Sequence, residues 1–339
     1  MVTAAELERL AADLGIDVVG AARPAPYDET ERHIVERRAR GLFAGMRFTM
    51  ARPEVSCHPE ALLDGARTVV SAALCYATPG PAPAAGEGRL PRYAWRDHYA
   101  VLRARLDALG RALGGRYRVL VDENDHVDRA GAERAGVGFL GKNTMLITRT
   151  NGSWVVLGTL VTEAEVEPSP ALGIDCGRCR LCVDACPTGA LDEPGTLDAR
   201  RCLSTWTQQR DPIPLDGREA LGDRVYGCDI CQEVCPWNRG VERRRRDEPL
   251  PPDAEATVRL ADWLEADPRV LRERYARLFV PRNDGRLLQR NALVALGNAG
   301  GPEHEPLLER IASGEDAVLA EHAAWALARL RSRASRPAG

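Results

Sequence analysis

Four cysteines fall within eleven residues of the stretch GIDCGRCRLCVDACPTGA (173–190), spaced Cys176-x2-Cys179-x2-Cys182-x3-Cys186 and followed by Pro187. A second run, Cys228-x2-Cys231-x3-Cys235-Pro236, repeats the pattern one cysteine short, and Cys202 lies between the two. Thiolates at such spacing ligate metal or form disulfides. Disulfide frameworks belong to small secreted chains that lack an adequate core, whereas 339 residues can bury a large one. The N-terminus MVTAAELERLAADLG reads as an amphipathic helix, not a signal peptide. Metal is therefore expected over cystine.

The first run has the spacing with which bacterial ferredoxins bind one [4Fe–4S] cube through three thiolates and send the fourth to a second cluster. Since each cube takes four ligands, the reading places Cys176, Cys179, Cys182 and the crossing Cys235 on one cluster. Cys228, Cys231, the crossing Cys186 and Cys202 fall on the other. Two tetrahedral zinc sites are the alternative, but zinc motifs pair C-x2-C units and leave the third cysteine and the Cys-Pro endings unexplained. Cys57 and Cys75 have no partner pattern, and Cys75 lies in an apolar strand as a small core residue.

The elements that must hold these thiolates read as an α+β chain of three domains. In residues 1–165, an α/β domain, helical and extended patterns alternate: a helix near 3–14, strands in IDVVGAA and RTVVSAALCYA, a helix in YAVLRARLDALGRAL, and strands in RYRVLVD, TMLIT and SWVVLGTLVT. The Pro/Gly-rich stretch 77–91 is a loop. Residues 166–245 are short, turn-rich and cysteine-bearing, a ferredoxin-like double-cubane domain that needs its clusters as staples. Residues 246–339 are helical. GRLLQRNALVALGNAG, PEHEPLLERIAS and DAVLAEHAAWALARL resemble the stacked pairs of HEAT-like repeats. On this partition, a chain cut near residue 250 is expected to retain both clusters.

The formal net charge of −3 excludes a polyanion binder over the whole surface. Across 269–339, however, twelve Arg face eight acidic residues, a balance of +4 that leaves −7 elsewhere, so basic charge is segregated at the C-terminal end. No apolar run reaches the ~20 residues of a membrane span. Of the 46 basic residues only Lys142 is lysine. In a chain whose default cation is arginine, it is either a solvated turn residue or chemically required.

About 165 residues precede the clusters, so they are expected to serve a second cofactor or substrate. At this point the motifs carry a resemblance. RYAW (92–95), the Val-Asp at 121–122, AERAGVGFLGKNTMLI (132–147), GSWVVLGTL (152–160), DARRCLS (198–204), RVYGCDICQEVCPWN (224–238), the two cysteine runs and the tail containing RNALVALGN together resemble the epoxyqueuosine reductases over nearly the whole chain. The resemblance implies a cobalamin-dependent iron–sulfur enzyme that reduces the epoxide of epoxyqueuosine, at the wobble position of tRNA, to queuosine. It implies two [4Fe–4S] clusters, a small electron-donor protein such as ferredoxin or flavodoxin, and a cytoplasmic monomer. Asp122 is then the proton donor. Asp122, Leu146 with Met145, Leu157, Ser204 and Arg92 contact cobalamin, and Arg92 holds either cofactor or RNA. Removing an epoxide oxygen as water takes two electrons and two protons, chemistry that a cofactor must supply.

Without the resemblance, Asp122 reads equally as a cap or an arginine partner. The chain also departs from the family's pattern. Glu123-Asn124-Asp125-His126-Val127 replaces two small residues, Pro and an apolar pair, which brings Asp125 and His126 forward as sharers of proton delivery. RYAW lacks its usual following Gly. Trp237 reads as packing over a cluster. Two other classes remain: a corrinoid reductive dehalogenase, which normally carries a twin-Arg export signal, and a non-enzymatic ferredoxin-type adaptor that would not bind cobalamin.

Overall fold

The computed structural model describes residues 1–122 and 125–334. Its N-terminal helices are α1 (Ala4–Asp13), α2 (Asp28–Ala39), α3 (Pro53–Ser56), α4 (His98–Leu113) and α5 (Asp128–Arg134). Strands are β1 (Val18–Ala22), β2 (Thr68–Cys75), β3 (Glu87–Arg89), β4 (Tyr117–Val121), β5 (Phe139–Leu140), β6 (Leu146–Ile147), β7 (Val155–Thr162) and β8 (Thr257–Arg259). Thr3 opens α1 with a capping box: its hydroxyl accepts from Glu6 N–H while the Glu6 carboxylate accepts from Thr3 N–H.

The main sheet has the order β1-β2-β7-β4, and every neighbouring pair is antiparallel. This departs from the α/β reading of residues 1–165. The β2–α4–β4 alternation does set β2 and β4 parallel to each other, but β7 slots between them and pairs antiparallel with both. β2 and β7 are apolar along nearly their whole length because both faces are covered. Leu102, Leu106 and Leu109 of α4, Ala132 of α5 and Ala135 just past it close one core around them.

The cysteine region is a chain of short pieces: α6 (Leu181–Asp184), α7 (Leu203–Gln208), α8 (Leu215–Leu221), α9 (Ile230–Glu233) and α10 (Arg239–Arg245). Beyond it lie α11 (Leu260–Glu265), α12 (Pro268–Arg274), α13 (Arg286–Ala299), α14 (Glu305–Ala312) and α15 (Ala317–Ala334). α13 is buried on all sides from Leu287 to Gly297, packed between α11 and α15. Among the described residues no helix is long and apolar enough to cross a membrane.

The cores draw on residues from both sides of the predicted boundaries at 165 and 245. β3 pairs with β8, so Leu90, Ala94 and Trp95 lie in the C-terminal core with Trp263, Leu288 and Leu293. Val294 of α13 joins Leu203, Trp206, Ile213 and Leu221 of the cysteine region. A cut near residue 250 would therefore strip apolar cover from the segment that carries Cys202.

Candidate active site

The second cysteine set opens onto a cavity. Cys186, Cys202, Cys228 and Cys231 all line a space of about 440 Å³ between the sheet and the helical end, while Cys176, Cys179, Cys182 and Cys235 stand outside it. The thiols also sort electrostatically. Cys182 is raised first by burial and then by Cys176, Cys235 and Cys179. Cys231 is raised well above the usual thiol range, first by burial, then by Cys228, Cys202 and Asp229, and last by Cys182 of the other set. Cys228 is pushed up to about 12, chiefly by burial. Such thiols crowd one another at a cost that cationic iron would reverse, since ligands bind as thiolates. Among the described residues no three His, Cys, Asp or Glu converge on a single metal ion. A four-iron cube, which spreads its thiolates around a cluster, needs no such convergence.

Asp122 reaches the same cavity from the end of β4. Its φ of +56° is a left-handed conformation that aspartate tolerates better than most residues. Thr144, across the cavity, has φ +63°, and for a β-branched residue that is a true outlier. Strained backbone held in place by its surroundings is a mark of functional sites.

Tyr76, Tyr93, Tyr99 and Tyr226 supply phenols to the cavity wall. Burial raises all four, and the Asp122 carboxylate adds to the shift at Tyr99 and Tyr226, which places it near both hydroxyls. Tyr226 donates to the Phe279 carbonyl at 2.9 Å and faces Tyr93. These phenols stay protonated at neutral pH as hydrogen-bond donors. Two further carboxyls lie close by. Asp229, 7% exposed, is pushed up to about 6, first by burial; its oxygens accept from Arg92 N–H at 2.8 Å and Gln232 at 3.3 Å. Asp128 is pushed up to about 6, first by desolvation, with Asp122 contributing.

The structure distributes the other predicted residues unevenly. Ser204 and Met145 line the cavity, and Val155 and Val156 form its apolar wall. Leu146 is buried beside it, and Leu157 packs against the sheet core one residue past Val156. Arg92 faces another cleft: its guanidinium lies over Trp154, 4.5 Å from the ring centroid, and pairs with Glu242 at 3.4 Å. Asp125 is committed to Arg118 at 2.6 Å and Arg52 at 3.2 Å, and His126 is 1% exposed, with burial and Arg134 holding it down at about 4. Neither lines the cavity, so neither shares proton delivery as placed here. Glu123 and Asn124 lie outside the described residues.

Trp237 packs edge-on to Phe139, centroids 5.2 Å apart, in a small core with Cys235 and Cys176. Cys57 and Cys75 are buried free thiols raised by burial. The cavity tyrosines, Arg277 and the lip pair Phe48–Phe279, whose rings meet edge-on at 5.3 Å, were not foreseen from sequence. Only Tyr93 and Tyr226 carried a signal, by lying inside quoted motifs.

Residues 175–238 match the family described as "4Fe-4S double cluster binding domain", and residues 57–123 match "Epoxyqueuosine reductase QueG, DUF1730". An epoxyqueuosine reductase of Lactococcus garvieae is 33% identical over 97% of this chain and 96% of its own length. A crystal structure of epoxyqueuosine reductase with an epoxyqueuosine-modified tRNA-Tyr stem loop superposes with TM-score 0.86 at 33% identity, covering 96% of this chain and 89% of that one. A Bacillus subtilis epoxyqueuosine reductase, solved with its catalytic aspartate loop swung out of the active site, gives 0.84 at 32% identity over 96% and 90%. With cysteine runs, a shared cavity and full-length likeness agreeing, the chain belongs to the epoxyqueuosine reductase family of oxidoreductases.

Proposed function

We propose that the chain reduces the epoxide of epoxyqueuosine in tRNA to queuosine in the cavity that Asp122 shares with Cys186, Cys202, Cys228 and Cys231. That sharing is the observation that carries the reading: one carboxyl and four cysteine thiols face one space. Cys186, Cys202, Cys228 and Cys231 are assigned to the inner [4Fe–4S] cluster, and Cys176, Cys179, Cys182 and Cys235 to the outer one. Cobalamin fits the cavity's apolar wall of Met145, Val155 and Val156, with Ser204 at its edge and Leu146 and Leu157 behind. Bound there, cobalamin and the clusters supply the reducing electrons for carbon–oxygen cleavage.

The chain's own residues do the rest. Asp122 gives a proton to the departing oxygen, and the neutral phenol of Tyr99, which lies near that carboxyl, donates a hydrogen bond to the oxygen as negative charge develops on it, while Tyr226 stays committed to the Phe279 carbonyl. One solved relative carries its catalytic aspartate on a loop that swings out, and Asp122 likewise begins the turn that leads to α5.

A relative solved with a tRNA stem loop supports RNA as the substrate. The predicted basic tail is largely paired: Arg274 and Arg277 with Glu255, Arg286 with Asp284, Arg310 with Glu265, Arg331 with Glu305. Docking is therefore assigned to the cavity lip and the helical, HEAT-like end together, where Arg129 meets phosphate and the half-exposed Phe279 with Phe48 stacks on a splayed base. The outer cluster's loop, with exposed Arg178, Arg180 and Leu181, faces a small ferredoxin- or flavodoxin-like donor. The three-part division at 165 and 245, the cytoplasmic location and the monomeric state complete the proposal.

Anaerobically reconstituted protein loaded with cobalamin and given epoxyqueuosine-bearing stem-loop RNA and a low-potential reductant tests it. Queuosine formation is expected. Turnover unchanged when cobalamin is omitted would refute it.

A further inference from the structure

Lys142 sits in the turn between β5 and β6, half-buried, and its ammonium is tied to the neighbouring loop. Nζ donates to the carbonyl of Gly177 at 2.6 Å and to that of Cys179 at 2.9 Å, both in the outer cysteine loop. Its own carbonyl accepts from Gly195 N–H at 2.9 Å, which fixes the turn from behind. Among the described residues no carboxylate is ion-paired with it. The next residue, Asn143, donates to the Cys231 carbonyl of the inner loop at 3.4 Å, and Thr144 and Met145 line the cavity. Four consecutive residues thus touch the outer loop, the inner loop and the cofactor cavity in sequence order.

We propose that Lys142 is a positioning residue for the outer cluster: it clamps the Cys176–Cys182 loop by two backbone carbonyls and sets beside that cube a positive charge with no ion-pair partner among the described residues, raising its reduction potential. The inference rests on the ligand assignment above. Reduction adds one electron to the cluster and forms or breaks no bond, so the reduced cube is more negative by one charge. A fixed cation favours that state, in the same way that net charge and hydrogen bonds tune such clusters generally. The inner loop is met by the neutral Asn143 amide, and the cation nearest its thiols, Arg224 beside Cys228, is itself ion-paired with Glu233 at 3.6 Å. The outer cluster becomes the easier acceptor, which suits the one standing away from the cavity where electrons enter. An arginine keeps the charge, whereas a lysine's compact ammonium with three rotatable donors suits two convergent carbonyls. This accounts for a lysine at one position in a chain that otherwise uses arginine.

The test is a potentiometric titration of the reconstituted full chain, with iron content measured alongside, for the wild type, Lys142→Met and Lys142→Arg. About eight irons in the wild type tests the ligand assignment by itself, and fewer would fault that assignment, not the lysine. In Lys142→Met one of the two reduction waves is expected to move to lower potential by at least about 59 mV, a tenfold rise in the oxidised-to-reduced ratio at fixed potential for a one-electron couple, with the other unmoved. Lys142→Arg is expected to keep both waves near the wild type. Selective loss of four irons in Lys142→Met, restored in Lys142→Arg, also supports the clamp. Both waves unchanged in Lys142→Met overturns the proposal, as does loss of both clusters together, or an arginine variant shifted as far as the methionine one.

Discussion

The guanidinium of Arg290 donates to the carbonyl of Trp206 at 2.8 Å, tying the middle of α13 to α7. Its other branch donates to Gln209 O at 2.8 Å and Asp211 O at 2.6 Å, and Asn291 donates to Thr207 O at 2.9 Å. Arg290 is fully buried, and desolvation pulls its pKa down to about 10. The Arg-Asn pair of RNALVALGN is thus a clamp on the segment that follows Cys202.

Removing that clamp leaves buried carbonyls without donors, at about 1–3 kcal/mol each. Arg290→Ala is expected to lose about 3 kcal/mol or more in urea unfolding and to bleach faster in air. Arg290→Lys should rescue little, because one ammonium cannot span the fork. A variant as stable as the wild type would show the clamp to be dispensable.

Asp122→Asn is expected to bind clusters and cobalamin normally yet turn over about 10²-fold or more slowly, since a positioned general acid contributes ~10²–10⁴. Single-turnover assays with iron and cobalamin content measured in parallel decide it. Near-normal turnover removes Asp122 from the acid role.

Cys202→Ser and Cys235→Ser separate the two clusters. Each should retain roughly four irons, but only Cys202→Ser should disturb the cobalamin absorption spectrum, because Cys202 faces the cavity and Cys235 does not. Identical cobalamin spectra in both variants would contradict the inner and outer assignment.

The His126 imidazole, held down at about 4 by burial and Arg134, gives stability an acid limb. Between about pH 6.5 and 4 the unfolded chain binds a proton that the folded one refuses, so the contribution is complete above 6.5 and lost as pH falls towards 4. The loss is on the order of 3 kcal/mol from this group. His98 and His322, also lowered to about 4, act in the same direction, while Asp128 and Asp229, raised to about 6, act in the opposite one. The excess stability of wild type over His126→Gln, followed by circular dichroism in urea, should therefore shrink as pH drops through that window. A difference that stays constant would mean the imidazole titrates normally.

Sequence showed the cysteine chemistry because ligand spacing is local: Cys176 to Cys186 stand on one short stretch, and their pattern survives any packing. It showed β2, α4 and β7 because apolar runs and helical periodicity are local too. The insertion of β7 between β2 and β4, the pairing of β3 with β8 and the four-phenol wall are long-range facts, set by which faces meet. No window of sequence contains Tyr76, Tyr99 and Tyr226 together. Asp125 looked like a proton source by proximity in sequence, yet Arg118 on β4 and Arg52 before α3 claim it.

The β3–β8 pairing and the Arg290 clamp also bear on the order in which the protein is made. On the ribosome, residues 87–95 emerge long before Val258, and Cys202 long before Arg290. Their apolar side chains must wait for the last third of the chain to be synthesised. Long-range pairings of this kind fold late and leave surface exposed meanwhile. On the proposed ligand assignment, iron loading at Cys202 and its three partner thiols then follows the synthesis of α13.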